Sequence, residues 1–249
     1  MKLLNSHVYP AAYIYPDGRG RVASPPRNLE EINRILTQPG RSLSLSQFPD
    51  EKFRKFQRAS TRQVRPYLNP ILEGDVKSGD FVGGQVSLSN LECGVDGLGV
   101  SNNPYLYHGT HIQQLDQRVR NKLSHCIMPS THSNALIAPN FFLEVRESNE
   151  SSAVAKRQAR YHGALGVRGM QKLQSYGQSE PVYDENAYIT STCCDGTLMM
   201  HATHITPAAG RRRPEYHTTL CNGFFLAGNP DACRQGLTAY RNARDWAKE

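Results

Sequence analysis

The run Phe142-Leu143-Glu144-Val145-Arg146 is where this 249-residue chain places residue types at a spacing that suggests chemistry. The surrounding stretch 139–147 is mostly apolar and reads as a strand buried on at least one face. Side chains alternate along a strand, so Glu144 and Arg146 project to one side together with Phe142. A carboxylate and a guanidinium two residues apart on such a strand are costly unless paired, hydrogen-bonded or metal-bound. A cross-sheet ion pair meets that demand; so does a metal-dependent centre.

Other chemistry-bearing groups carry less. His201 and His204 lie on or beside a predicted strand, where residues three apart point to opposite sides, so they read as two unrelated surface histidines rather than zinc ligands. The six cysteines, Cys93, Cys126, Cys193, Cys194, Cys221 and Cys233, form no C-x-x-C pair, which indicates free thiols in a reducing compartment. Arg211-Arg212-Arg213 is a short basic run of the kind that contacts phosphate. The phosphate-binding loop, the dinucleotide fingerprint and the G-x-S-x-G elbow are all absent from the sequence.

The elements that must position Glu144 and Arg146 are legible around them. Ser148–Ser151 form a polar link into a helix near 152–173, on which Val154, Gln158, Tyr161, Leu165 and Arg168 lie close to one face. That helix therefore carries polar groups into its packed face. Ile112, Leu115, Val119, Leu123 and Ile127 define an amphipathic helix before the strand. Segments 187–192 and 197–202 flank Asp195-Gly196, a strong hairpin signal. Residues 218–226 read as a further strand, and Asn229-Pro230 opens a last helix. Earlier, Asn28 reads as the N-cap of a helix carrying Leu29, Ile32, Ile35 and Leu36. Asp50 starts another, with Phe53 and Phe56 on one face and Pro66 as its limit. Residues 73–104 read as loops and a hairpin, with Gln85–Leu88 strand-like. The alternation of strands and helices predicts an α/β (α+β) domain.

Charge is unevenly spread. The net charge is +7, with twelve basic and five acidic residues in 1–72 and seventeen of each in 73–249. The cluster Lys52, Lys55, Arg58 and Arg62 is the densest part, and a basic segment on a neutral body suits a polyanion such as DNA or RNA. No apolar run is long enough for a membrane span or a signal peptide, so the expectation is an intracellular protein, nuclear or cytoplasmic.

The stretches Ala138–Arg146 and Ala153–Tyr161, with Tyr183–Tyr188, Asp195–Leu198, Pro214–His217, Arg241–Asp245 and Asn28–Asn33, resemble a family of fungal proteins with a PD-(D/E)xK nuclease-like domain. The resemblance implies a restriction-endonuclease-like core, a small mixed sheet flanked by helices, over residues 73–249. A loose arm (1–27) and a basic helical extension (28–72) would precede it. In that superfamily one strand brings an Asp, the next a Glu-x-Lys, and the following helix often a Gln. Two carboxylates hold Mg²⁺, which polarises the scissile phosphate and activates water.

Carried onto this chain, the resemblance puts Glu144 at the carboxylate position, Arg146 at the Lys position and Gln158 at the helix position. Arginine keeps the charge but forks differently and stays protonated. Tyr105, in Asn103–Gly109, stands at the Asp position, and a phenol is a poor Mg²⁺ ligand. The expectation is therefore a nuclease-like domain with a weakened or lost centre that binds nucleic acid through Lys52, Lys55, Arg58, Arg62 and Arg211–Arg213. Glu144→Ala should then alter stability more than catalysis. The alternatives are an active Mg²⁺-dependent nuclease in which Asp96, or less readily Asp116, joins Glu144 on the metal, and a protein-interaction domain with no nucleic-acid role.

Overall fold

The computed structural model describes the chain apart from residues 1, 11, 17–21, 40–47, 61–64, 75–81, 85, 92–101, 131–134, 147–150, 195, 208–212 and 249. Its centre is a seven-stranded mixed sheet. The strands are β1 (Val8–Tyr9), β2 (Val82–Gly83), β3 (Leu106–Thr110), β4 (Ile137–Arg146), β5 (Tyr188–Cys194), β6 (Thr197–Thr206) and β7 (Glu215–Phe225). Their order is β1-β7-β6-β5-β4-β3-β2. Strands β4 and β5 run parallel, with Glu144 opposite Thr192 and Arg146 opposite Cys194. Parallel neighbours need a long crossover, and helix α6 (Ser152–Gln174) supplies it. The pairs β2–β3, β3–β4, β5–β6 and β6–β7 are antiparallel.

The β5–β6 pair is the hairpin that the Asp-Gly signal predicts. Gly196 takes φ +70° in its turn, a conformation glycine adopts without a Cβ clash. The strand β4 is buried on both sides, because helices cover both faces of the sheet. On one face α6 packs on β4, β5 and β6, with α5 (Gln117–Ile127) behind it. The core on this face includes Tyr107, Phe142, Leu165 and Ile205. The opposite face carries α2 (Leu29–Thr37), α3 (Asp50–Ser60), α4 (Arg65–Glu73) and α7 (Pro230–Trp246) around Phe141, Leu143, Met200 and Tyr240.

The first third is bound into this body more firmly than a loose arm and an appended extension imply. After a short helix, α1 (Lys2–Asn5), Val8 and Tyr9 pair with Tyr216 and His217, so part of the arm is an edge strand. Ile32, Leu36, Phe53, Phe56, Leu68 and Leu72 share one core with β4, β6 and α7. Apolar faces of this size are stable only when buried, and the sheet offers the surface. Asn28 stands at the N-cap position of α2, yet its side chain does not cap it. The amide instead clamps the backbone just before β5, donating to Ala187 O at 3.2 Å and accepting from Ala187 N at 2.8 Å. Pro66, read as the limit of α3, lies in the first turn of α4, where a missing N–H costs nothing. Val86–Leu88 form no strand; Leu88 packs in the α6-side core instead.

Candidate functional site

Alternation on β4 sends Phe142, Glu144 and Arg146 toward α6, as the sequence predicts. Residues one turn apart on α6 meet them. His162 Nδ1 lies 2.5 Å from Glu144 Oε1, and Arg146 donates an N–H to Gln158 Oε1. Two strand residues at spacing two thus mesh with two helix residues at spacing four. Glu144 is 3% exposed and His162 0%. A carboxylate so buried needs donors, and the imidazole supplies one. The His162 ring stacks near Phe142, with centroids 5.8 Å apart, and Tyr161 donates its hydroxyl to Asn102 Oδ1 at 3.0 Å.

Glycines let the helix come this close. A Cβ on Gly163 would meet Thr203 Oγ1 at 2.6 Å and Thr190 Oγ1 at 3.1 Å, and one on Gly166 would meet the Phe142 ring at 2.8 Å. The floor beneath α6 is correspondingly polar. Thr190 and Thr192 come from β5, His201 and Thr203 from β6, and Thr218 from β7. Thr192 Oγ1 and His201 Nε2 are 3.4 Å apart, and the Thr203 and Thr218 hydroxyls 3.3 Å. Burial, reinforced by the charges of Arg160 and Lys156, pulls the His201 imidazole down to about 4, so it is neutral at pH 7.

Glu144, Arg146 and Gln158 therefore come together, and His162 joins them. Sequence reasoning missed His162, although it stands one helical turn after Gln158 and so on the same face. It also read His201 and His204 as surface residues. Their side chains do point to opposite sides of β6, but both are buried, because both faces of the sheet are covered.

Tyr105 lies elsewhere. It packs at the edge of the core around Tyr240, on the face away from Glu144. Asp116 caps α5, accepting from Arg118 N at 2.7 Å. Asp96 falls outside the described residues. Among the described residues no three His, Cys, Asp or Glu side chains gather as a metal site. The donor set at Glu144, one carboxylate shared with an imidazole and flanked by a guanidinium, does not fit Mg²⁺, which asks for several oxygen ligands.

Comparison of the chain with family models, with curated proteins and with solved structures finds no match. No helix among the described residues is long and apolar enough to cross a membrane.

The predicted basic groups stand apart from Glu144. Lys52, Lys55 and Arg58 are exposed on α3, which buries Phe53 and Phe56 against the opposite face of the sheet. Lys55 pairs with Glu51 at 2.9 Å in solvent. Arg62, Arg211 and Arg212 fall outside the described residues. Arg213 lies in the β6–β7 connection, at the end of the sheet away from Arg146, roughly 30 Å along β6 at ~3.3 Å per residue. The helix α6 carries cations of its own beside Gln158: Lys156, Arg157 and Arg160.

A second buried polar cluster sits on the other face. Glu73, at the end of α4, receives the Tyr240 hydroxyl at 2.5 Å, an N–H of Arg244 at 3.1 Å, and faces His108 Nε2 at 3.2 Å. Burial alone would raise the Glu73 carboxyl. The hydrogen bonds from His108 and Tyr240 and the positive charge of Arg244 outweigh it and hold the group below its ordinary value. His108 lies on β3 and both Tyr240 and Arg244 lie on α7, so this carboxylate ties α4 to those two elements.

Proposed function

We propose that this chain is a nuclease-like domain of the PD-(D/E)xK type that binds nucleic acid without cutting it. The observation carrying this reading is the closed pairing at Glu144 and Arg146. Glu144 stands at the metal-carboxylate position of the resemblance, and His162 engages it. Arg146 stands at the lysine position, and Gln158, the helix residue expected to orient water or phosphate, accepts from it instead. Groups that would hold a metal and a water thus engage one another inside the protein. The net charge of +7 and the cations on α6 favour a polyanionic partner.

The test is cleavage and binding measured together. Labelled single-stranded and duplex DNA and RNA are incubated with the chain in Mg²⁺ and in Mn²⁺, beside Glu144→Ala. The expected result is binding that weakens steeply with salt and leaves every substrate intact. Cleavage by the unaltered chain that disappears in Glu144→Ala would overturn the reading in favour of an active nuclease. Absence of binding to all four substrates would overturn it in favour of a role away from nucleic acid.

A further inference from the structure

Three cations sit within five residues of α6 and lack acidic partners. Among the described residues no carboxylate pairs with Lys156, Arg157 or Arg160. Lys156 and Arg160 are half-buried, so part of their hydration is already lost and no protein anion replaces it. Lys156 and Arg160 are one turn apart, and both charges reach His201 on β6. Gly163, one turn on from Arg160, sits over β6, where its Cβ would meet Thr203 Oγ1 at 2.6 Å, so Lys156 and Arg160 line the edge of α6 that overlooks β6.

Beyond that edge, among the described residues, β7 carries exposed apolar side chains. Leu220 lies directly opposite His201, and Phe225 directly opposite Thr197. Directly opposed residues of an antiparallel pair share a face, so Leu220 and Phe225 point to the α6 side. They are 45% and 55% exposed, among the most exposed large apolar side chains described. Gly223, opposite Met199, leaves a gap between them with no side chain. A row of cations thus borders a strand surface carrying an exposed aromatic ring.

We infer that this surface, the Lys156/Arg157/Arg160 edge of α6 together with the neighbouring face of β6–β7, is where the chain takes a single-stranded nucleic acid. Phosphates would lie along the α6 cations, and a base would stack on Phe225. Such pairing of a basic track with an aromatic platform is how single strands are held without sequence readout. The inference rests on the nucleic-acid reading above and assigns its contact surface to α6 rather than to α3. The α3 cations fit less well: they are exposed rather than half-buried, and Lys55 is already paired with Glu51.

Fluorescence anisotropy of labelled dT20 and of a 20-base-pair duplex, titrated with the full chain over a range of salt, tests this. The unaltered chain should prefer dT20. The triple variant Lys156→Gln/Arg157→Gln/Arg160→Gln should lower the slope of log K against log salt by about two, from roughly 0.7 per single-strand phosphate contact. Phe225→Ala should weaken dT20 binding at least fivefold, in the range of lost base stacking. The α3 triple Lys52→Gln/Lys55→Gln/Arg58→Gln should leave the slope close to that of the unaltered chain. If circular dichroism shows the α6 triple unfolded, the double variant Lys156→Gln/Arg157→Gln replaces it, with an expected drop of about 1.4. Undiminished binding by the folded α6 variant, with the loss falling on the α3 variant, overturns this surface and leaves the nucleic-acid reading standing. No binding by the unaltered chain to either probe overturns both.

Discussion

The imidazole of His162 reaches the carboxylate of Glu144 across the seam between α6 and β4, at 2.5 Å and out of contact with solvent. Neither group has water to fall back on. Removing one member of such a pair leaves the other buried without this contact.

His162→Ala should therefore destabilise the fold by about 3–5 kcal/mol, the range for breaking a buried pair. Glu144→Gln keeps the shape and an acceptor oxygen, and should cost less, about 1–2 kcal/mol. Urea denaturation followed by circular dichroism gives both numbers. An unchanged midpoint in His162→Ala would reject the pairing.

Glu73 should matter as much as Glu144 despite carrying no proposed function. Glu73→Ala takes the carboxylate from the buried Tyr240 hydroxyl and His108 Nε2, while Arg244 keeps Asp245 and the backbone carbonyl of residue 73, for an expected loss of about 1–3 kcal/mol at neutral pH. Its carboxyl is held below the ordinary 4.5, so its stabilisation is present above that pH and fades as pH falls below it. Denaturation at pH 7 and at pH 3 should show the gap between Glu73→Ala and the unaltered chain shrinking at the lower pH. A gap that stays constant would contradict the ionised lock.

The buried histidines give a pH effect of their own. His201 and His204 are both pulled from 6.5 to about 4, His201 by burial and the cations of α6, His204 by burial and the neighbouring His217. The unfolded chain takes up protons near pH 6.5 and the folded chain not until pH 4 is approached. Stability is complete above pH 6.5 and is lost as pH falls through this window, by roughly 3 kcal/mol for each histidine. Urea midpoints between pH 7 and pH 4.5 should fall less steeply in His201→Asn and in His204→Asn. Parallel curves for variants and unaltered chain would remove the histidines as the cause.

Gly163→Ala tests how closely α6 is seated. The added methyl gains helix propensity of about 1 kcal/mol but meets Thr203 Oγ1 at 2.6 Å. A net destabilisation of about 1–2 kcal/mol is expected from overpacking. Thr203→Ala in the same chain should recover part of it, read as a coupling in a double-mutant cycle. Strict additivity of the two changes would mean that helix and sheet do not touch there.

Periodic elements could be read from sequence because their pattern is local. The Phe-Phe-Leu-Glu-Val-Arg strand, the helix after it and the Asp-Gly hairpin each carry their signal within a few residues. What escaped reading depends on which elements lie side by side. Lys52, Lys55 and Arg58 form the densest basic stretch along the chain, but Phe53 and Phe56 between them commit that helix to the far face of the sheet. His162 carries no motif of its own and became visible only once α6 was laid on β4. Val8 and Tyr9 are too short a run to announce a strand, and only the edge of β7 makes them one. His201 and His204 looked exposed because the sequence did not show that both faces of β6 would be roofed.

The amide of Asn242 on α7 donates to the carbonyl of Ile35 at the end of α2, 207 residues earlier. The bond joins two elements that are synthesised far apart in time. As the chain leaves the ribosome, α2 emerges with its apolar face bare and waits for most of the remaining sequence before its partner arrives. Closure over so long a separation is slow, and a waiting apolar helix is a site for chaperones and for aggregation. Nascent chains arrested before residue 230 should accordingly be protease-sensitive in their first third, while chains released after Trp246 should not.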